Sequence, residues 1–378
     1  MVKLGDVAEV VSGGTPKTSV PEYWGDEIVW VTPKDLAGLQ GIAITGSEKM
    51  LSQEGLNRSS AKPLPAGTVV MSSRAPIGYV GVLQVPGSTN QGCKNFIPSD
   101  RIDANYLAFY LRCNTAMLQQ MGTGATFKEI SAKRAADIPV PLPPLAEQQR
   151  IAKILGTVEK AIRAEEQSIS KLETLVKNLA PETNRTVPIG EYVERIVSGK
   201  SLKEHSTPGG PRVLKISSTT SGYFKPEESK PLDPSYEPPE HHRVQEGDLL
   251  VSRANTTELV GASAIVDQPY ENLLLPDKLW RLVTKDSVDP FFLWACLQHP
   301  LTRNAISKAS SGSGGSMKNI SQTNFLSVEI PDVDAALQTT VGNQVRTAFH
   351  QRALRSSKLT LLRELYTSLS SRAFAGEL

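Results

Sequence analysis

The chain has 378 residues, 39% of them hydrophobic and 21% charged, an ordinary balance for a soluble protein of two or three domains. Its formal net charge is +2, and no segment carries the basic stripe of a protein that holds nucleic acid by phosphate neutralisation alone: residues 1–150 have 14 basic and 13 acidic side chains, residues 184–340 have 16 and 19, and residues 341–378 have 6 and 2. No apolar run reaches the roughly 18 residues of a membrane span, and the opening "MVKLGDVAEVVSGG" lacks the apolar core of a signal peptide, so a cytoplasmic protein is expected.

In chain order, short apolar and β-branched stretches such as "IVWVTP" and "TVVMSS", punctuated by Gly and Pro, predict strands of a mainly β core. Asp103 then stands where a helix N-cap belongs, with Leu107 and Leu111 at helical spacing. A Gly-rich loop, Gly122 to Lys128, leads to "IPVPLPPLAEQQRIAKIL" (Ile138 to Leu155). Each proline fixes its own φ and disfavours helix in the residue before it, so this run is extended; Pro144 suits a first helical position.

Past the hinge, Ile151, Leu155, Val158, Ile162, Glu165, Ile169, Leu172, Val176 and Leu179 alternate spacings of four and three, as in a coiled-coil seam. The rest of the chain repeats what came before. "LGDVAEVVSGG" from Leu4 returns as "IGEYVERIVSGK" from Ile189, and "PAGTVVMSSRA" from Pro65 as "QEGDLLVSRAN" from Gln245. "DANYLAFYLR" from Asp103 returns as "DPFFLWACLQ" from Asp289, and "GTGATFKEIS" from Gly122 as "GSGGSMKNIS" from Gly312. "VEIPDVDAALQTTVGNQV" (Val328 to Val345) repeats the hinge in degraded form, with Asp332 or Asp334 available as cap. A second seam follows: Val341, Val345, Ala348, Arg352, Arg355, Leu359, Leu362, Tyr366 and Leu369. Matches in one order along the chain mark a tandem duplication.

The fold class expected is α+β: two tandem mainly-β domains, 1–150 and 184–340, separated by long helices at 151–183 and 341–378 that form an antiparallel coiled coil. Antiparallel pairing follows from connectivity, since the second domain leaves one helix and enters the other, and domain termini lie close together. It relates the domains by a pseudo-two-fold axis across a rod of about 40 Å, a little more than one turn of B-DNA. Glu165 is expected to meet Arg355 or Arg352 at the polar centre of the seam.

A search for catalytic chemistry fails at each motif. "VSGKS" (Val197 to Ser201) ends like a phosphate-binding loop, but Glu194 stands at the first glycine position. "EPPE" (Glu237 to Glu240) lacks the amide and aromatic residues of a methyltransferase motif, and Glu228-Ser229-Lys230 has no Pro-Asp before it at the spacing of a nuclease metal site. His241-His242 has no partner at metal-ligand spacing, and Cys93, Cys113 and Cys296 form no CxxC pair and read as buried structural thiols. No catalytic or metal-binding residue is assigned.

The repeated polar patches are candidates for contacts with DNA. Ser72, Ser73 and Arg74 match Ser252 and Arg253 at strand ends, with Asn255 beside them, and "STNQGCKN" offers Asn90, Gln91 and Lys94, side chains that read adenine edges and guanine or phosphate. The loops around Thr123 and Lys128, and around Ser313 and Lys318, suit phosphate contacts through backbone N–H groups and one lysine. Lys215 is a further candidate.

Over essentially its whole length the chain resembles the specificity subunit of Type I restriction-modification systems: in the repeated "LGD/IGE…SG" openings, in the loops ending "K-x-I", and above all in "IPVPLPPLAEQQRIAKIL" running into a long helix. The resemblance implies two target recognition domains, each reading one half of a bipartite site in double-stranded DNA. The helices would then be a spacer ruler and part of the dock for two methyltransferase subunits, with Gln148, Ile151, Leu155, Ile162, Glu165, Leu172, Gln338, Arg355 and Leu362 as docking or spacer candidates. It further implies restriction-translocase subunits joined to that core, no membrane, and a chain that is not itself an enzyme and binds no cofactor: S-adenosylmethionine, ATP and Mg²⁺ belong to the partners. The alternative is a specificity subunit of a methylation-only or other phage-defence complex without cleavage. The second hinge departs from the pattern, keeping only Pro331 of the run, with Gln338 and Val341 in the places of Gln148 and Ile151.

Overall fold

The computed structural model describes residues 1–74, 76–124, 128–206, 209–312 and 317–378. They divide into two units, residues 1–167 with 357–378, and residues 168–356, both mixed α/β with open sheets.

In the first unit, strands β1 (Ala8–Ser12), β2 (Ala43–Ile44), β3 (Val69–Ser72), β4 (Val80–Leu83) and β5 (Cys93–Pro98) form a sheet in the order β1-β5-β3-β4-β2. All neighbours are antiparallel except β2 and β4. β3 reads as an unbroken apolar run because both its faces are buried. Val69 and Met71 face helix α1 (Ala104–Cys113) in one core, while Val70 faces Leu83, Cys93 and Val31 in another. Asp103 caps α1 as expected, its carboxylate accepting from the Tyr106 N–H at 2.8 Å.

The proline run is extended and also paired. Pro139–Val140 bonds antiparallel to Val2–Lys3 at the start of the chain, and the Leu4 N–H donates to the Ile138 carbonyl at 2.8 Å. The long helix α2 spans Leu145–Lys177. Pro144 is its N-cap rather than its first helical residue, because the Pro144 carbonyl already accepts from the Gln148 N–H at 3.1 Å. Ile151 and Leu155 enter the α1 core, which Tyr366, Leu369, Ala373 and Phe374 join from the end of the chain. Phe374 meets Tyr106 and Tyr110 edge-on at 5.6 and 5.2 Å. Further along α2, Glu165 pairs with Lys358 at 2.7 Å and Glu166 with Arg363 at 2.8 Å.

The second unit has the same plan. β6 (Val193–Ser198), β7 (Leu249–Ser252), β8 (Ser263–Ile265) and β9 (Leu279–Thr284) lie in the order β6-β9-β7-β8, so β1, β3, β4 and β5 correspond to β6, β7, β8 and β9. Gly67 and Gly247, in the turns before β3 and β7, have φ of 86° and 84°, a left-handed backbone that favours glycine. The second opening motif is one residue longer than the first. The register between Val193 and Arg195 shifts against β9, so the extra residue is taken up as a β-bulge. Helix α3 (Pro290–Gln298) is capped by Asp289, which accepts from the Phe291 N–H at 2.9 Å, with Pro290 in its first turn.

The degraded hinge still folds as a hinge. Glu329–Pro331 pairs antiparallel with Thr186–Pro188. Asp334 caps helix α4 (Ala335–Ala375), accepting from the Leu337 N–H at 2.8 Å, whereas Asp332 is drawn into an ion pair with Arg185 at 2.9 Å. Val341, Val345 and Ala348 share the α3 core with Leu172, Val176 and Leu179, and Arg352 pairs with Glu173 at 2.8 Å.

Two glutamines measure the difference between the hinges. The Gln148 amide is fully buried: its oxygen accepts from the Asp103 N–H at 2.9 Å, and its nitrogen donates to the carbonyls of Arg101 (3.0 Å) and Pro143 (2.9 Å). Gln338 donates to the Val333 carbonyl at 3.1 Å, but its buried oxygen has no partner among the described residues. Replacing Gln148 with Leu removes three hydrogen bonds to partly buried backbone groups, so the loss of stability is expected to be on the order of 3 kcal/mol. Gln338→Leu removes one bond and one unsatisfied atom, and is expected to cost under about 1 kcal/mol. Equal shifts of the two variants in chemical denaturation would contradict this reading.

Candidate nucleic-acid interface

The candidate contacts gather where the central strands end. In the first unit Ser72 lies opposite Cys93, and beyond them the Ser73 N–H donates to the Gly92 carbonyl at 2.8 Å. The Ser72 hydroxyl donates to the Pro76 carbonyl at 2.8 Å and accepts from the Tyr79 N–H at 2.9 Å. Ser73 donates to the Gly92 carbonyl at 3.0 Å and accepts from Lys94 at 3.4 Å. Lys94, itself buried, pairs with Glu129 at 3.2 Å. The expectation that Ser72, Ser73 and Lys94 touch DNA is therefore corrected: they are buried, and their polar atoms hold the strand end together.

What remains at the surface is a smaller set. Gln91 is exposed, and Asn90 and Arg74 are half-buried. The Asn90 carbonyl oxygen accepts from the Gly92 N–H at 2.8 Å. Gly92 is where Arg74 and Pro33 converge: a Cβ there would lie 3.3 Å from Arg74 Nε and 3.1 Å from Pro33 Cγ. Thr123 and Lys128 are exposed in the Gly-rich loop, whose ends exchange backbone bonds between Thr123 and Glu129 at 3.0 and 2.9 Å.

The second unit repeats the backbone with other side chains. Ser252 is buried and donates to the Ala254 carbonyl at 3.1 Å, so it too is structural. The Arg253 N–H donates to the Lys278 carbonyl at 3.0 Å, the bond that Ser73 makes to Gly92 in the first unit. Arg253 thus stands in the place of Ser73. The counterpart of Arg74 is Ala254, which bridges to Asn319 as Arg74 bridges to Glu129. Matching by sequence was one residue out, and in a strand one residue turns a side chain to the opposite face. Asn255 is buried, its side-chain oxygen bonded to the Thr256 N–H at 2.9 Å, and Lys318 closes its own loop on the Gly312 carbonyl at 3.1 Å. Ser313 lies outside the described residues.

Lys215, Arg253 and Lys278 are exposed. Lys278 was missed in the sequence because "LPDKLW" shares no side-chain pattern with "NQGCKN"; only the backbone equivalence with Gly92 brings it out.

The docking candidates need a matching correction. Gln148, Ile151, Leu155 and Gln338 are buried against the domain they belong to, and Glu165 is buried beside Lys358. Ile162, Leu172, Arg355 and Leu362 are half-buried, and Leu354, Leu361 and Leu365 are exposed. Burial pushes the thiols of Cys93 and Cys296 up to about 12, which makes them inert, while Cys113 is exposed rather than buried. The His241 and His242 rings touch at 4.4 Å, and burial holds His242 below the usual histidine range. Among the described residues no group of three or more His, Cys, Asp or Glu could hold a metal ion.

Comparison with known proteins bears on what this surface serves. Residues 1–174 match the model of the Type I restriction modification DNA specificity domain. The chain is 36% identical over 179 residues to the Type I restriction enzyme MjaIX specificity subunit of Methanocaldococcus jannaschii, a match covering 47% of this chain and 41% of that one. To the Type I restriction enzyme EcoKI specificity subunit of Escherichia coli K12 it is 24% identical over 369 residues, covering 85% and 77%. The match thus spans about two fifths of the first relative's length and most of the second's. The fold is shared with the Type I restriction-modification S subunit from M. genitalium, with a TM-score of 0.65 at 13% identity over 98% of this chain and 95% of that one. Domain match, relatives and fold point the same way: residues 1–174 match the Type I DNA specificity domain, and the chain as a whole is similar to the specificity subunits of Type I restriction-modification systems.

Proposed function

We propose that this chain is the non-catalytic, DNA-reading subunit of its complex, each of two target recognition domains reading one half of a bipartite, gapped site. The observation that carries the reading is the second appearance of one scaffold: the same strand order and the same closing bond, with different polar side chains at the strand end. A duplicated scaffold with altered tips is what two half-sites of different sequence require. Residues 1–150 and 184–340 are the readers. Arg74, Asn90, Gln91, Thr123 and Lys128 are the accessible contacts of the first, and Lys215, Arg253 and Lys278 those of the second.

The spacer helices, 151–183 and 341–378, form an antiparallel pair that fixes the gap between half-sites. In support, Glu173 meets Arg352 while Glu165 and Glu166 meet Lys358 and Arg363, so residue numbers rise on one helix as they fall on the other. The two readers are then related by an approximate two-fold axis. With Gln148, Ile151, Leu155 and Gln338 buried, docking of two methyltransferase subunits falls to the outer helix faces, including Leu361 and Leu365. Methylation and cleavage reside in those and in restriction-translocase subunits, which hold S-adenosylmethionine, ATP and Mg²⁺, all in the cytoplasm.

Co-expression with the cognate methyltransferase, followed by mapping of N6-methyladenine in the host genome, is expected to give a single two-part motif with a fixed gap. An ungapped motif would sink the two-reader model. Inserting four residues, about one helical turn, at Ala164 is expected to change the gap or abolish methylation while leaving both half-sites readable. A change in the identity of a half-site would instead refute the ruler.

A further inference from the structure

One backbone hydrogen bond ends the central strand pair in both units, yet it joins different chemistry. In the first unit it joins Ser73 to Gly92, both small and buried. Arg74 folds over the glycine, and the nearby Lys94 ammonium is neutralised by Glu129 at 3.2 Å. In the second unit the same bond joins Arg253 to Lys278, and both are exposed. Among the described residues neither cation has an ion-pair partner; Asp277, next to Lys278, is half-buried. Lys318, further along the loop, is occupied by the Gly312 carbonyl. Two like charges at facing strand ends repel each other, an arrangement that costs stability unless an anion covers it.

We propose that Arg253 and Lys278 form a clamp for the DNA phosphate backbone that the first domain lacks. The two readers would then contribute unequally: the second anchors the complex to any duplex electrostatically, while the first relies on its amides and Arg74. A formal anion suits the pair better than a guanine edge. A single arginine satisfies the two acceptors of that neutral base, and a second cation beside it would stay uncompensated. The proposal rests on the reading of this domain as a DNA reader.

The test uses the full chain copurified with its cognate methyltransferase subunits, and the duplex identified by methylation mapping. Affinity is measured between about 50 and about 200 mM salt. Arg253→Ala and Lys278→Ala are each expected to lower the slope of log K against log salt by about 0.9, with the methylated sequence unchanged, and Arg253→Lys to retain the slope. An intact slope with relaxed preference at one base pair would make these residues base readers and overturn the clamp. An intact slope with unchanged sequence would overturn it too. Failure of the unsubstituted complex to prefer the gapped duplex over scrambled DNA would refute the DNA-reading function itself, and the clamp with it.

Discussion

The first domain cannot close its core with its own residues. Tyr106 and Tyr110 on α1 present ring faces that are covered by Phe374, and Ala373, Leu369 and Tyr366 complete the same cluster. Covering a buried aromatic face is worth a few kcal/mol, at roughly 25 cal/mol per Å² of apolar surface. The residues that supply it lie more than 250 positions further along the chain. In the second domain the corresponding cluster takes in Val176 and Leu172 from one helix and Val341, Val345 and Ala348 from the other. The long helices are therefore part of each domain's core as well as connections between domains. A domain and its share of both helices form one compact unit, which is why the unit boundaries fall within α2 and α4.

The hinge turns that shared core into a fixed direction. A proline strand bonded to the first residues of its domain cannot swing, and Gln148 ties the first turn of α2 to the segment that launches α1. The second hinge achieves the same path with one proline, an aspartate cap and a partly satisfied glutamine. The geometry is thus set by backbone pairing, and the proline run makes it more rigid where it is present.

Much of this was legible in the sequence because it follows from periodicity. The seam residues on α2 and α4 are buried or half-buried, and the leucines off the seam, Leu354, Leu361 and Leu365, are exposed. The caps at Asp103 and Asp289, the extended hinge and the repeat itself were likewise legible from local rules. The contact surface was far less legible. Ser72, Ser73, Ser252 and Lys94 have the composition of a polar tip, but composition does not reveal that neighbouring carbonyls already use the serine hydroxyls, or that the Glu129 carboxylate already pairs with Lys94. Lys278 was invisible for the opposite reason, since its place is defined by a bond between two main chains.

The single residue added near Glu194 has a wider meaning. A chain that carries the same sheet twice risks exchanging strands between the copies, because β1 and β6 are both edge strands that seek similar neighbours. The bulge gives β6 a register with β9 that the regular ladder between β1 and β5 does not share. Placed beside β5, β6 would turn part of its apolar set to the wrong face. One inserted residue thus gives the two matching edge strands of a duplicated protein different registers against their neighbours.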